Sequence, residues 1–254
     1  MTNEKHFELT ERFIVNAFGV KLFQIKATKK SKWAEVGDLG GYIEKEENLY
    51  GNAWVYDDAW VSGNARVSGN ARVSGNARVS GNAWVYGDAQ VYGDAQVYGN
   101  ARVYGNARVY GDAWVSGNAW VYGDAQVYGD AQVYGNARVY GNARVYGDAW
   151  VYGDAQVYGD AQVYGNARVY GNARVYGDAR MENNDDHCGF DCFGSSNRHT
   201  HAYRTKENTI EITCGCFRGS IEEFEKQVKE THGDNKYAKQ YEAIINVIKI
   251  KFGL

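Results

Sequence analysis

Between Leu49 and Arg180 the chain repeats a six-residue unit 22 times without interruption, and this period limits the fold more than any other feature. The unit reads Val, Tyr or Ser, Gly, Asn or Asp, Ala, then Arg, Gln or Trp; Leu49 and Asp57 are the only departures at its first and third positions. Six residues is a β-helix period: each unit makes one short strand and a corner, and stacked coils satisfy one another's backbone groups. Alternation along the strand sends Ala and Val inward and Arg, Gln, Trp, Tyr and Ser outward. The Gly-Asn or Gly-Asp pair suits the corner, because both residue types tolerate positive φ and Asn or Asp can bond nearby backbone.

The flanks use a different alphabet. The repeat holds no Lys, Glu, His or Cys, whereas residues 1–48 and 181–254 use the ordinary charged residues. The reading is therefore an N-terminal cap over 1–48, a repeat body over 49–180 and a C-terminal α+β domain over 181–254. A net charge of -3 gives no support to nucleic-acid binding, and in the body 11 Asp nearly balance 10 Arg, which also argues against an acidic imitation of DNA. No apolar run approaches the roughly 20 residues of a membrane span, and the start of the chain has no apolar export segment. The expectation is a cytoplasmic protein, in the bacterial host's cytoplasm if phage-encoded, with no membrane partner.

The period resembles that of the left-handed β-helix of hexapeptide-repeat acyltransferases, in which three units make a triangular 18-residue coil. That resemblance implies a mainly β fold, a left-handed parallel β-helix of about seven coils. The outward sixth position tests the coil length, since neighbours on one face sit about 4.8 Å apart and like charges there repel. Read along the chain, arginines run in pairs and triplets; read every 18 residues, no arginine stacks on another. One rank is Arg66, Trp84, Arg102, Trp120, Arg138, Gln156, Arg174, which places Arg102 between two indoles; Trp114 and Trp150 fall on a different face.

Tyrosine follows the same count. Tyr86, Tyr104, Tyr122, Tyr140, Tyr158 and Tyr176 share one face, and Tyr92, Tyr110, Tyr128, Tyr146 and Tyr164 another, as exposed ladders over 30 Å tall. Stacking β-formers that shield the backbone is one reading of them; a face for a partner or for self-association is the other. Asp94, Asp112, Asp130 and Asp148 form a corner column that lacks the converging ligands of a cation site and reads as solvated.

At the ends, Val20 onward through Asp38, Leu39, Gly40, Gly41, Tyr42, Ile43, Glu44 to Asn48 and Leu49 resembles the opening of hexapeptide-repeat proteins of phages, prophages and gut bacteria. Those are often labelled polymer-forming or acetyltransferase-like. The tail, through CGCFRGSIEEFEKQVKETHGDNKYA, resembles tails on some of the same proteins. The acetyltransferase label does not carry over, because the catalytic histidine and coil-breaking loop of those enzymes are missing from 49–180. Locally, Arg198–Thr205 and Thr209–Phe217 read as a hairpin, and Ser220 with Glu223 as a capping box before a helix bearing Ile221, Phe224 and Val228. Gly233 ends that helix, and Asp234 or Asn235 starts another carrying Tyr237, Tyr241, Ile244, Ile245 and Ile248.

A two-residue loop at Glu207-Asn208 would pair His201 with Cys214 and His199 with Cys216 on one face, a zinc-like set, with His187, Cys188 and Cys192 as further candidates. Against it, Glu-Asn is a poor hairpin pair and Cys-x-Cys an unusual zinc spacing, so buried cysteines are the competing reading.

The expected function is that of a non-enzymatic phage or prophage accessory protein. Its rigid β-helix displays Trp84, Arg102, Trp120, Arg138, Tyr104, Tyr122, Tyr140, Trp114 and Trp150 to a protein partner, including a host-defence component. Self-assembly as a homo-oligomer and glycan binding are the alternatives. No catalytic residues are expected, and zinc in the tail is the one cofactor considered.

Overall fold

The computed structural model describes residues 5–254 and is a β-solenoid of about eight turns, capped at the N-terminus by antiparallel strands and followed by a small sheet with two helices. Twenty-two strands of two residues each, from Trp54–Val55 to Arg180–Met181, stack in parallel register. Arg102 pairs with Trp84 below and Trp120 above, Gln90 with Arg72 and Arg108, and Gln96 with Arg78 and Trp114, so the 18-residue coil is realised on all three faces. Through the body the coil-to-coil amide bonds follow this register, for example Arg102 N–H to the Ala119 carbonyl at 2.9 Å and Tyr104 N–H to the Val121 carbonyl at 3.0 Å.

The interior is a closed file of Val and Ala, fully buried from Ala53 to Ala167. Small residues are what a prism this narrow accommodates, and each removes its apolar surface from water completely. At the corners Gly alone takes positive φ; the following Asn or Asp does not, which gives the turn a type II′ character. Asp57, where every other repeat has Gly, adopts φ 52° itself, and its carboxylate accepts the Gly75 N–H one coil on at 3.0 Å. The corner Asn side chains form amide ladders: Asn64, Asn82, Asn100, Asn118 and Asn136 each donate to the next at 3.0–3.3 Å, and the last donates to the carboxylate of Asp154.

The solenoid begins upstream of the hexad pattern, which accounts for about eight turns where the repeat alone counts seven. The strand Leu39–Ile43 pairs in parallel with Trp60–Val61 and antiparallel with Lys21–Ala27, which in turn pairs with Phe7–Val15. One solenoid face thus runs continuously into the cap, and its otherwise open edge is paired. Gly40 and Gly41 make the close approach: a Cβ on Gly41 would sit 2.5 Å from the Ala59 carbonyl oxygen, and one on Gly40 2.6 Å from that of Val55. Phe7, Ile25, Ala34 and Trp54 plug this end, and Trp54 is wholly buried.

At the other end Met181 and Tyr203 close the file of valines. Strands His187–Phe193, Arg198–Arg204, Ile210–Cys214 and Phe217–Gly219 form an antiparallel sheet in that order. Helix α1 (Ile221–His232) starts at the Ser220 and Glu223 capping box and ends at Gly233; helix α2 (Lys236–Phe252) starts at Asn235. Their apolar faces, Ile221, Phe224 and Val228 with Tyr241, Ile244, Ile245 and Ile248, bury against Ile210, Ile212 and Cys214 on one side of the sheet. The sheet's other side carries His187, His201 and Tyr203 and meets the last coils, where Lys206 N–H donates to the Asp178 carbonyl at 3.1 Å.

Candidate functional site: an aromatic and arginine rank on the solenoid, and a histidine seam beside it

The parallel register brings Trp84, Arg102, Trp120 and Arg138 into one vertical line on one face. Arg102 lies 5.5 Å from the ring centre of Trp84 and 5.1 Å from that of Trp120, and Arg138 lies 5.1 Å from Trp120 on the opposite side. Each guanidinium is held over an indole yet stays exposed, and Trp84 keeps 41% of its surface in solvent. Beside this line run Tyr86, Tyr104, Tyr122, Tyr140, Tyr158 and Tyr176, whose rings stack at 4.7–4.9 Å with interplanar angles of 2–10°. The sequence-derived set therefore divides: Trp84, Arg102, Trp120, Arg138, Tyr104, Tyr122 and Tyr140 come together, while Trp114 and Trp150 stand on another face.

The tyrosine ladders are not the open apolar faces expected from the sequence. Successive rings cover each other's flat sides, so the Tyr86–Tyr176 rings are half-buried and present edges and hydroxyls. Burial, then the neighbouring phenols Tyr158 and Tyr122, push the Tyr140 hydroxyl up to about 12, so it stays a neutral hydrogen-bonding group. Some hydroxyls are already engaged: Tyr146 donates to Gln162 at 3.2 Å.

The zinc-like set does not assemble. Thr200, not His201, pairs with Cys214, and His201 pairs with Thr213. The hairpin loop has three residues, Lys206-Glu207-Asn208, with Asn208 at φ 63°, and Thr205 N–H donates to the Thr209 carbonyl at 2.9 Å. That one-residue change of register reverses which side chains share a face. Cys214 points to the helices, 3.7 Å from the Tyr241 hydroxyl, whereas His201 faces the solenoid, and Cys216 lies exposed in the next turn. Among the described residues no group of three or more His, Cys, Asp or Glu side chains is placed to hold a metal ion.

The same shift gathers three histidines at the seam. His201 Nδ1 lies 3.3 Å from the Arg174 carbonyl and so carries the proton; its Nε2 then accepts from His187 Nδ1 at 3.1 Å. His199 Nδ1 donates to Asp191 at 2.7 Å. Burial, and then Lys251, lower His187 to about 4 against the opposing pull of the Arg168 carbonyl and Asp186; burial also holds His201 well below the ordinary range. Pairing His201 with Cys214 hid this cluster at the level of sequence.

Repeats of the body match a known family model. They are similar to the YdcK beta solenoid repeat, over residues 59–87, 95–123, 131–153 and 161–183 in overlapping stretches. The match agrees with the fold and attaches no chemistry to the ranks or the seam. Comparison with curated proteins gives no match. No helix among the described residues is long and apolar enough to cross a membrane.

Proposed function

We propose that the protein is a non-enzymatic binding scaffold, which engages a protein partner through the Trp84–Arg102–Trp120–Arg138 line and the tyrosine stack beside it. The observation that carries this reading is the cation–π alternation itself. It fixes exposed arginines against the exposed Trp84 and the half-buried Trp120 in one geometry before any partner arrives, which lowers the ordering cost of association, and Trp, Tyr and Arg are the residues that dominate binding energetics. The repeat body supplies rigidity through its continuous amide ladders. A phage or prophage setting with a host-defence component as partner belongs to the same reading and rests on the resemblance of the cap and tail. The test is affinity capture from bacterial lysate with the native chain and with an Arg102→Glu/Arg138→Glu variant, beside light scattering of each. A partner retained only by the native chain supports the scaffold; no retained partner together with a monomer in solution rejects it.

A glycan-binding reading is favoured by one separate feature. On another face Trp114, 42% exposed, stands between Gln96 and Gln132 beside Asp94, Asp112 and Asp130 in an open cavity of about 410 Å³. An aromatic platform flanked by hydrogen-bonding groups suits a sugar ring. Glycan-array binding lost on Trp114→Ala supports this alternative, and a blank array removes it.

A further inference from the structure

Charge is not spread evenly over the three edges of the solenoid. On the face of Gln90, Arg108, Gln126 and Arg144, the corner that closes each strand carries Asp94, Asp112, Asp130 and Asp148 in the same four coils. Between that rank and that column run the stacked rings of Tyr92, Tyr110, Tyr128 and Tyr146, 4.8–4.9 Å apart. A basic, an aromatic and an acidic strip therefore lie side by side. Arg108, Arg144, Asp112, Asp130 and Asp148 are all exposed, and none makes an ion pair or a side-chain hydrogen bond among the described residues.

The other two edges lack this arrangement. Beyond Arg102 and Arg138 the corner is Asn106 and Asn142, whose amides donate to Asp124 and Asp160 at 3.0 and 2.9 Å; beyond Arg78 and Arg168 it is Asn82 and Asn172. Among the described residues, only the coils of Arg108 and Arg144 follow the arginine with an unengaged carboxylate. Those carboxylates also stand in a column at the coil spacing of about 4.8 Å, where like charges repel until a cation faces them.

We propose that this edge docks a second copy of the chain, side by side and pointing the same way. A two-fold axis parallel to the solenoid and running over the tyrosine strip brings Arg108 and Arg144 of each copy against Asp112 and Asp148 of the other, with Gln126 against Asp130. A two-fold axis across the solenoid sets basic strip on basic strip and acidic on acidic, so charge selects the parallel pair. Register holds along the strip because both partners have the same coil height. Tyrosine edges meet at the centre, and Tyr with Arg is the composition interfaces favour. The ion pairs, two from each copy, are exposed and contribute little singly, so the dimer is weak and sensitive to salt. The Trp84–Arg138 line lies on the neighbouring face and stays open, so this docking does not depend on the partner proposed for that line.

Sedimentation velocity of the full chain over a concentration series, at low and at high ionic strength, tests this. The expected result is a monomer–dimer equilibrium that high salt shifts to monomer. Arg108→Asp/Arg144→Asp and Asp112→Arg/Asp148→Arg variants each dimerise roughly tenfold more weakly or worse alone, because like charges then face each other. An equimolar mixture of the two restores the dimer, which also shows that both are folded. Donor and acceptor dyes on the N-termini of separate native chains report direction: the parallel pair gives energy transfer that high salt removes. A native chain that stays monomeric at every concentration in low salt, variants that dimerise as the native chain does, a mixture that remains monomeric, or a dimer without energy transfer overturns the proposal.

Discussion

The guanidinium of Arg102 lies between two indoles contributed by the coils on either side, 5.5 Å from Trp84 and 5.1 Å from Trp120. Eighteen residues separate each pair, so the contact exists only because three hexads close one turn. Arg102→Ala removes both contacts and is expected to lower stability by about 1–2 kcal/mol at most, as each exposed cation–π pair contributes only about 0.5–1 kcal/mol. Partner capture should fall far more than stability does. Denaturant unfolding of the variant beside its capture assay separates the two.

A second expectation concerns the corners. Gly105 has φ 72°, and a Cβ on it would meet the Gly123 backbone nitrogen at 3.0 Å. Gly105→Ala therefore combines left-handed strain with crowding against rigid main chain, at a cost of about 1–3 kcal/mol. A lowered thermal midpoint checks it; an unchanged midpoint means the coils part more easily than their amide ladders imply.

The cap gives a third. Gly41→Ala places a methyl group where the Ala59 carbonyl stands and should displace Leu39–Ile43 from the first rung. Exposing the edge of Trp60–Val61 then promotes association of chains. Size-exclusion chromatography of this variant should show larger species than the native chain run beside it.

Acid acts on the seam. His187 is lowered from 6.5 to about 4, so between those values the unfolded chain binds more protons than the folded one. Its contribution, of the order of 3 kcal/mol, is fully present above pH 6.5 and is lost as pH falls towards 4, and His201, lowered likewise, adds in the same direction. Hydrogen exchange should show the 187–204 strands opening near pH 4.5 while amides of the solenoid stay protected. Equal protection at pH 7 and pH 4.5 contradicts this.

Much of this architecture was legible in the sequence, for a physical reason. A strict hexad leaves Val and Ala one place to go, and the avoidance of stacked arginines at +18 reports the coil length independently. Helices α1 and α2 were readable from Ser220, Glu223, Gly233 and Asn235, since capping is a local interaction. The first rung was not, because Leu39–Ile43 lacks the repeat's alphabet while adopting its register. The histidine seam was missed through a single residue: Asn208 takes a left-handed conformation, the loop has three residues rather than two, and every side chain beyond it changes face. Ring exposure depends on stacking across coils, so the half-buried state of Tyr104, Tyr122 and Tyr140 is a property of the assembled ladder that no single repeat encodes.

Under the proposed function the +18 rank, and no local sequence, is the binding element. Inserting two hexapeptides, each Tyr-Gly-Asn-Ala-Gln-Val, after Val103 preserves the repeat but turns everything downstream by two faces, which parts Trp120 and Arg138 from Trp84 and Arg102 and sets Arg108 above Arg102. Inserting three units, the third ending Ala-Trp-Val, adds a full coil, keeps the two halves of the rank on one face and leaves Arg102 between two indoles. Partner capture by these two proteins is the decisive measurement. The expected result is loss of capture with twelve added residues and capture retained with eighteen. Equal capture by both contradicts it.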